Sequence, residues 1–208
     1  MGFIYLSYVK WCAIVSAIMG APQQPSTGPW NNWFHVTVHV YGSWLRGDPR
    51  GWRARHHREH VDGDYKNPPP KGKYDDVYEF SKWLMKRDPI RLEHAIGKFI
   101  ADLIAYKLEL DGCEVLIVSL SAKHLHVLAR FPLRNPRIKI GWAKKYATQQ
   151  LKAHGFTVSL SLKQGEGIWA KRSRAEPITN RPHQLEAFNY VRKHKRSGAS
   201  LWTFRERS

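Results

Sequence analysis

Ser119-Leu120-Ser121-Ala122-Lys123-His124-Leu125-His126-Val127-Leu128-Ala129-Arg130-Phe131 is the stretch on which the reading of this chain turns. Apolar Leu125, Val127 and Ala129 alternate with other residues at period two, which predicts a strand. That alternation sets His124 and His126 side by side on the opposite face. Two neutral imidazoles so placed can chelate one divalent cation, leaving further coordination positions open. Equally, the two can be ordinary surface histidines on a wet sheet face. Just upstream, after Asp111-Gly112, the apolar run 113–120 leads into the pair through a few residues. The spacing therefore predicts a hairpin, which would hold both imidazoles rigidly.

The composition bounds the partner. Among 208 residues, 34 Lys and Arg stand against 17 Asp and Glu, a formal net charge of +17. The basic residues recur along the whole chain, so a polyanion partner, nucleic acid above all, is the simplest explanation. A membrane surface fits less well, because no basic amphipathic helix with a clean apolar face is evident. Cys12 and Cys113 are the two cysteines, too few for a disulfide framework or a zinc knuckle, and a reducing cytoplasm fits.

Residues 1–32 read as an N-terminal extension and linker, with the functional domain over 33–208. The apolar stretch 11–19 is shorter than the ~20 residues that span a bilayer and resembles a poor signal peptide. The alternative, which we favour, is that Met19 is the start and the residues before it are an extension. Residues 23–32 are rich in Pro, Gly, Ser and Asn.

From Trp33 to Tyr41 a second alternation sets Phe34, Val36, Val38 and Val40 on one face and His35, Thr37 and His39 on the other. A loop of arginine and tryptophan follows, 42–52, suited to phosphates and stacked bases or else folded onto its own indoles. Residues 53–75 form a charged, proline-rich excursion in which His56, His57 and His60 read as solvated. A helix is expected from Asp88-Pro89 to Leu110, another over 138–154, a last strand over 156–162 and a final helix over 183–195. This order suits an α+β fold, a ferredoxin-like antiparallel sheet with helices packed on one face.

Several pieces together resemble the single-tyrosine HUH transposases, the insertion-sequence-200 group and the REP-associated tyrosine transposases. Residues 34–51 resemble the family's first strand and glycine loop. His124-Leu125-His126 matches its metal-binding His-hydrophobic-His, and Lys144-Lys145-Tyr146 with Ala147-Thr148-Gln149-Gln150-Leu151 resembles its basic helix. Trp169 with Tyr190-Val191 resembles its C-terminal frame, so the likeness covers roughly 33–196. The resemblance implies nicking of single-stranded or hairpin DNA by a tyrosine, through a 5′-phosphotyrosine, with Mg²⁺ or Mn²⁺ held by the histidines. It also implies action as a dimer.

One position departs from the pattern. Where the family's nucleophile is expected, this chain has Ser173 and Arg174, and the next tyrosine is Tyr190. Tyr190 and His194 are four apart, on one helical face, so Tyr190 could take the role and His194 could complete a site with His124 and His126. Tyr190 could equally be a core aromatic, in a protein that binds DNA or RNA without cutting it. For DNA contact the candidates are Arg46, Arg50, Arg53, Arg55, Lys144 and Lys145.

Overall fold

The computed structural model describes residues 30–50, 52, 69–132, 135–156, 160, 162–163 and 166–204. The fold is that of the unit Asn32–Ser208. Residues 1–29 of the expected 1–32 extension and 53–68 of the expected 53–75 excursion, and with them Arg53, Arg55, His56, His57 and His60, lie outside the described residues. No helix among the described residues is long and apolar enough to cross a membrane.

The elements in chain order are β1 (Trp33–Val40), α1 (Asp75–Trp83), α2 (His94–Leu110), β2 (Glu114–Leu120), β3 (His124–Arg130), α3 (Pro136–Ala153), β4 (Trp169–Pro177), α4 (Arg181–Lys193) and β5 (Ser200–Thr203). They form one five-stranded sheet in the order β4-β1-β3-β2-β5, antiparallel throughout. Its first four strands with α2 and α3 have the ferredoxin-like order, and β5 adds an edge.

The alternation read in the sequence decides the layers. Val36, Val38 and Val40 of β1 and Leu125, Val127 and Ala129 of β3 are buried in one cluster. The same cluster takes in Ile100, Ile104 and Leu108 of α2 and Ile140, Ala147 and Leu151 of α3. Burying so many side chains, each worth about 1.5–3 kcal/mol, is the main stabilising term. α3 starts as its sequence dictates, with Pro136 in the first turn and the Asn135 side chain accepting from Ile138 N at 3.2 Å. α4 has the same device, Asn180 accepting from His183 N at 2.9 Å. This last helix packs against β2 and β3 on the other face of the sheet, where Ile117 and Leu128 are fully buried.

Several boundaries differ from those expected. Residues 88–93 are not helical: Ile90 N donates to Tyr41 O at 3.0 Å and Leu92 N to Ala122 O at 3.4 Å. Ile90 and Leu92 are buried two residues apart, so this segment runs extended beside the sheet and α2 begins at His94. The fourth strand is Trp169–Pro177, not 156–162. Of the latter stretch, Phe156, Leu160 and Leu162 lie outside any strand, and residues 157–159 and 161 are outside the described residues. β4 carries no apolar alternation because it is an edge strand, a place where charge is tolerated and useful. α1 begins at the end of the excursion read over 53–75 and was not expected; it has no buried residue, although Val77, Phe80 and Trp83 recur at helical spacing.

Gly42 marks a close approach that fixes residues 88–93 against β1. Its φ is +72°, and a Cβ there would lie 2.7 Å from Met85 Cε and 2.8 Å from Pro89 Cα. Gly155 has φ +78° with nothing within 4 Å. Gly155→Ala is expected to cost about 1–2 kcal/mol from backbone strain alone. Gly42→Ala should exceed it by more than about 1 kcal/mol, because Pro89 must also shift. Urea midpoints of the two variants measure the difference; equal losses would mean the contact with Pro89 yields freely.

Candidate functional site

Strand pairing builds the site. β1 and β3 run antiparallel with Thr37 opposite His126 and His39 opposite His124. Residues directly opposite share a face, so the polar side chains of both strands form one patch behind the core. The hairpin turn fixes its edge: the Ser121 Oγ accepts from His124 N at 3.1 Å and from Lys123 N at 3.3 Å. α4 then crosses this face and delivers Tyr190 and, one turn on, His194, the first residue of the short 3₁₀ turn His194–Ser197.

One ligand atom from each of His124, His126 and His194 lies within 4.8 Å of the others. The rings of His126 and His194 stack at 4.6 Å, with His124 edge-on to both at 4.8 and 5.2 Å. Tyr190 stands edge-on to His194 at 5.0 Å and to His126 at 5.5 Å. These three histidines could hold a metal ion, and the bonding of His126 fits that use. Its Nδ1 lies 3.1 Å from His35 Nε2 and 3.3 Å from Thr37 Oγ1, while its Nε2 is buried with no hydrogen-bond partner. His194 Nε2 is buried and unpartnered as well. An imidazole held through one nitrogen, with the other bare and buried, is the arrangement of a metal ligand and its outer support.

The electrostatics point the same way. Burial, reinforced by His124 and His35, pushes the His126 pKa down to about 2. Burial and the neighbouring His194 and His39 bring His124 to about 4. His35, His39 and His194 are also lowered, each mainly by burial, with Glu176 partly offsetting it at His35. All five imidazoles are therefore neutral at pH 7, with lone pairs available for a cation.

The basic candidates fall into different settings. Arg50 Nε donates to Asp48 Oδ1 at 2.7 Å and an Nη to Ser43 O at 2.9 Å, and its guanidinium lies 4.6 Å over Trp44. Asp48 is 2% exposed; burial would raise its pKa, but the hydrogen bonds and charge of Arg50 hold it below its usual value. Trp44 in turn lies 6.0 Å from His39, so a ladder of rings connects Arg50 to the histidine patch. Arg46 lies 5.2 Å over Trp52. Lys144 is put to structural use: its Nζ donates to Ala170 O at 2.9 Å, and Trp169 Nε1 donates to its carbonyl at 3.1 Å, tying β4 to α3. Burial lowers its pKa. Lys145 is exposed on α3, away from the histidine face.

Ser173 and Arg174 lie in β4, opposite Val38 and Thr37 respectively. Ser173 therefore belongs to the core side of the sheet, and Arg174 to the histidine side. His35, Thr37 and His39 were visible in sequence as one polar strand face. Their place beside His126 and His124 depends on the β1–β3 register, which only pairing reveals.

No family model matches the sequence, and no characterised protein does. Among solved structures, one similar chain is a REP-associated tyrosine transposase bound to a REP hairpin. The likeness has TM-score 0.40 and 11% identity over 85% of this chain and 72% of that one.

Two outcomes test the histidine centre. Mn²⁺ binding measured by calorimetry should vanish in the double variant His124→Ala with His126→Ala, and His35→Ala should weaken it by about 10–100-fold through loss of support to His126. Retained binding in the double variant would remove the assignment. The second outcome concerns acid stability of chelator-treated protein. The unfolded chain binds protons on these histidines near pH 6.5 while the folded chain does not, so stability falls as pH drops from 6.5 through about 4 for His124 and towards about 2 for His126. Melting temperatures of His126→Asn should fall less steeply over that range; an unchanged slope would show that His126 is not held neutral.

Proposed function

We propose that the protein is a metal-dependent DNA-binding protein of the HUH transposase type, acting through residues 33–208 on single-stranded or hairpin DNA, with Tyr190 as its nucleophile. The observation that carries this reading is the setting of Tyr190. Its ring packs edge-on against His126 and His194, yet it remains 46% exposed, as a ring serving only the core would not. A phenol so placed stands beside imidazoles that could hold a cation and is open to a strand arriving from solvent.

His124, His126 and His194 would hold the ion, which when bound supplies Lewis-acid polarisation of a phosphodiester. A donor set of imidazoles favours Mn²⁺ or a later first-row ion over Mg²⁺, which takes oxygen ligands. His35 and Thr37 are positioning residues, fixing His126 through its Nδ1. Arg50, oriented by Asp48 and stacked on Trp44, offers a fixed cation beside the patch for a phosphate, and Arg46 on Trp52 extends this basic, aromatic loop. In the reaction the Tyr190 oxygen bonds to phosphorus and the 3′ oxygen of the preceding nucleotide leaves. The phenolic proton passes to water and the leaving oxygen takes one from water, giving a 5′-phosphotyrosine and a free 3′-hydroxyl.

The test is a gel assay with labelled hairpin DNA and Mn²⁺. Wild type should form an SDS-stable covalent adduct, and Tyr190→Phe should bind the same DNA without forming one. An adduct in the variant would place the nucleophile elsewhere. Absence of adduct in both, with equal binding, would make the protein a DNA-binding module that keeps the histidines without the reaction.

A further inference from the structure

Ser119 carries a buried hydroxyl that the fold does not bond. It lies within β2 at 1% exposure, and its Oγ has no hydrogen-bond partner. Pairing sets it directly opposite His126 on β3 and Leu201 on β5. Residues so paired share a face, with Cβ atoms about 4.5–5.5 Å apart. Ser119 therefore belongs to the histidine side of the sheet, which α4 covers, and Ile117 of the same face is fully buried two residues before it. Ser121, two residues after it, spends its hydroxyl in the turn on the backbone of Lys123 and His124. Leu201 is apolar, so the polar side chain across the pairing is that of His126.

We propose that the Ser119 hydroxyl is an oxygen ligand of the ion held by His124, His126 and His194. The orientation of His126 is the first argument. Its Nδ1 faces β1, where His35 Nε2 and Thr37 Oγ1 lie. The two nitrogens of an imidazole face away from each other, so the unpartnered Nε2 turns from β1. In the order β1-β3-β2 the strand on that side is β2, and Ser119 is its residue at the level of His126.

The second argument is a coincidence of unbonded atoms. Ser119 Oγ, His126 Nε2 and His194 Nε2 are each buried without a partner, and strand pairing and ring stacking gather them together. Each alone costs stability, so three in one place point to a partner they share. A cation takes lone pairs from a hydroxyl oxygen and from imidazole nitrogens alike. The third argument is the donor set. Imidazoles alone suit the later first-row ions, whereas oxygen suits Mn²⁺, and a serine or threonine hydroxyl serves as such a ligand to Mg²⁺ in phosphate-binding loops. This inference rests on the ion-binding part of the reading above, and on neither DNA nor cleavage.

The experiment sets ion affinity against stability in Ser119→Ala. Calorimetry should show Mn²⁺ binding weakened at least about tenfold, the loss that even an outer support of a ligand would give. The melting temperature of chelator-treated protein should hold or rise by up to about 4 °C, because the variant removes an unbonded hydroxyl and breaks no bond. A second variant, Ser119→Cys, puts a thiol at the same place, and a thiol that meets a metal ion binds it as thiolate. Loaded with Co²⁺, it should show a thiolate-to-cobalt charge-transfer band that wild type, with Cys113 in the core, lacks. Unchanged Mn²⁺ affinity in Ser119→Ala, a lower melting temperature without metal, or a Co²⁺ complex of Ser119→Cys without that band would each overturn the assignment. The histidine centre would stand in those cases if the double variant His124→Ala with His126→Ala still abolished binding. Failure of wild type to bind either Mn²⁺ or Co²⁺ would overturn both.

Discussion

The pairing of β1 with β3 is the constraint on which the rest depends. Thr37 sits opposite His126 and Val38 opposite Leu125, so a single register defines both the core and the histidine patch. A slip of one residue would turn Val36, Val38 and Val40 towards the imidazoles and the histidines into the core, because side chains alternate strictly along a strand. The register is held by the apolar face, where α2 and α3 close over the valines and leucines. The chemistry-bearing face inherits its precision from that packing and contributes little to it.

What the register creates is an unusual concentration of uncharged imidazole. His126 is nearly buried, touches His35 through its Nδ1 and leaves its Nε2 without a partner. An orphaned buried nitrogen costs about 1–3 kcal/mol, and the fold bears that cost at His126 and again at His194. Such groups in native structures are completed by an ordered water, an ion or a ligand. The Asp48–Arg50–Trp44 arrangement shows the opposite case, with the Asp48 carboxylate engaged by Arg50, which also donates to Ser43 O, and the guanidinium set over Trp44.

Legibility in the sequence followed burial. β1 and β3 were readable because their apolar residues alternate, β2 as an apolar run and α3 from Asn135-Pro136 and the Gly155 stop, and His124 with His126 came with the hairpin. α4 was expected over 183–195 and is found over Arg181–Lys193, and the four-residue step from Tyr190 to His194 put both on one face. Elements outside the core were not read: α1 is short and buries nothing, and β4, at the sheet edge, is written in Lys, Arg and Glu. The start of α2 was misplaced because Asp88-Pro89 imitates a helix start, while Ile90 and Leu92 are held extended by backbone bonds to Tyr41 and Ala122. Lys144 was read as a surface cation, but its amine reaches a carbonyl of β4, a contact between residues 26 apart that no local pattern encodes.

The histidine centre draws on both ends of the fold, since His35 and His126 are separated by 91 residues and His194 follows far behind. During synthesis, β1 must wait for β3 before any face exists, because two distant segments have to meet. A nascent chain ending within β4 would already carry the sheet's central strands and the helices behind them. Its imidazoles would still lack α4, and with it both His194 and Tyr190. The growing polypeptide therefore passes through a stage in which the core strands are present and the histidine cluster is not yet assembled. The grouping of the tyrosine with the imidazoles waits until α4 has left the ribosome.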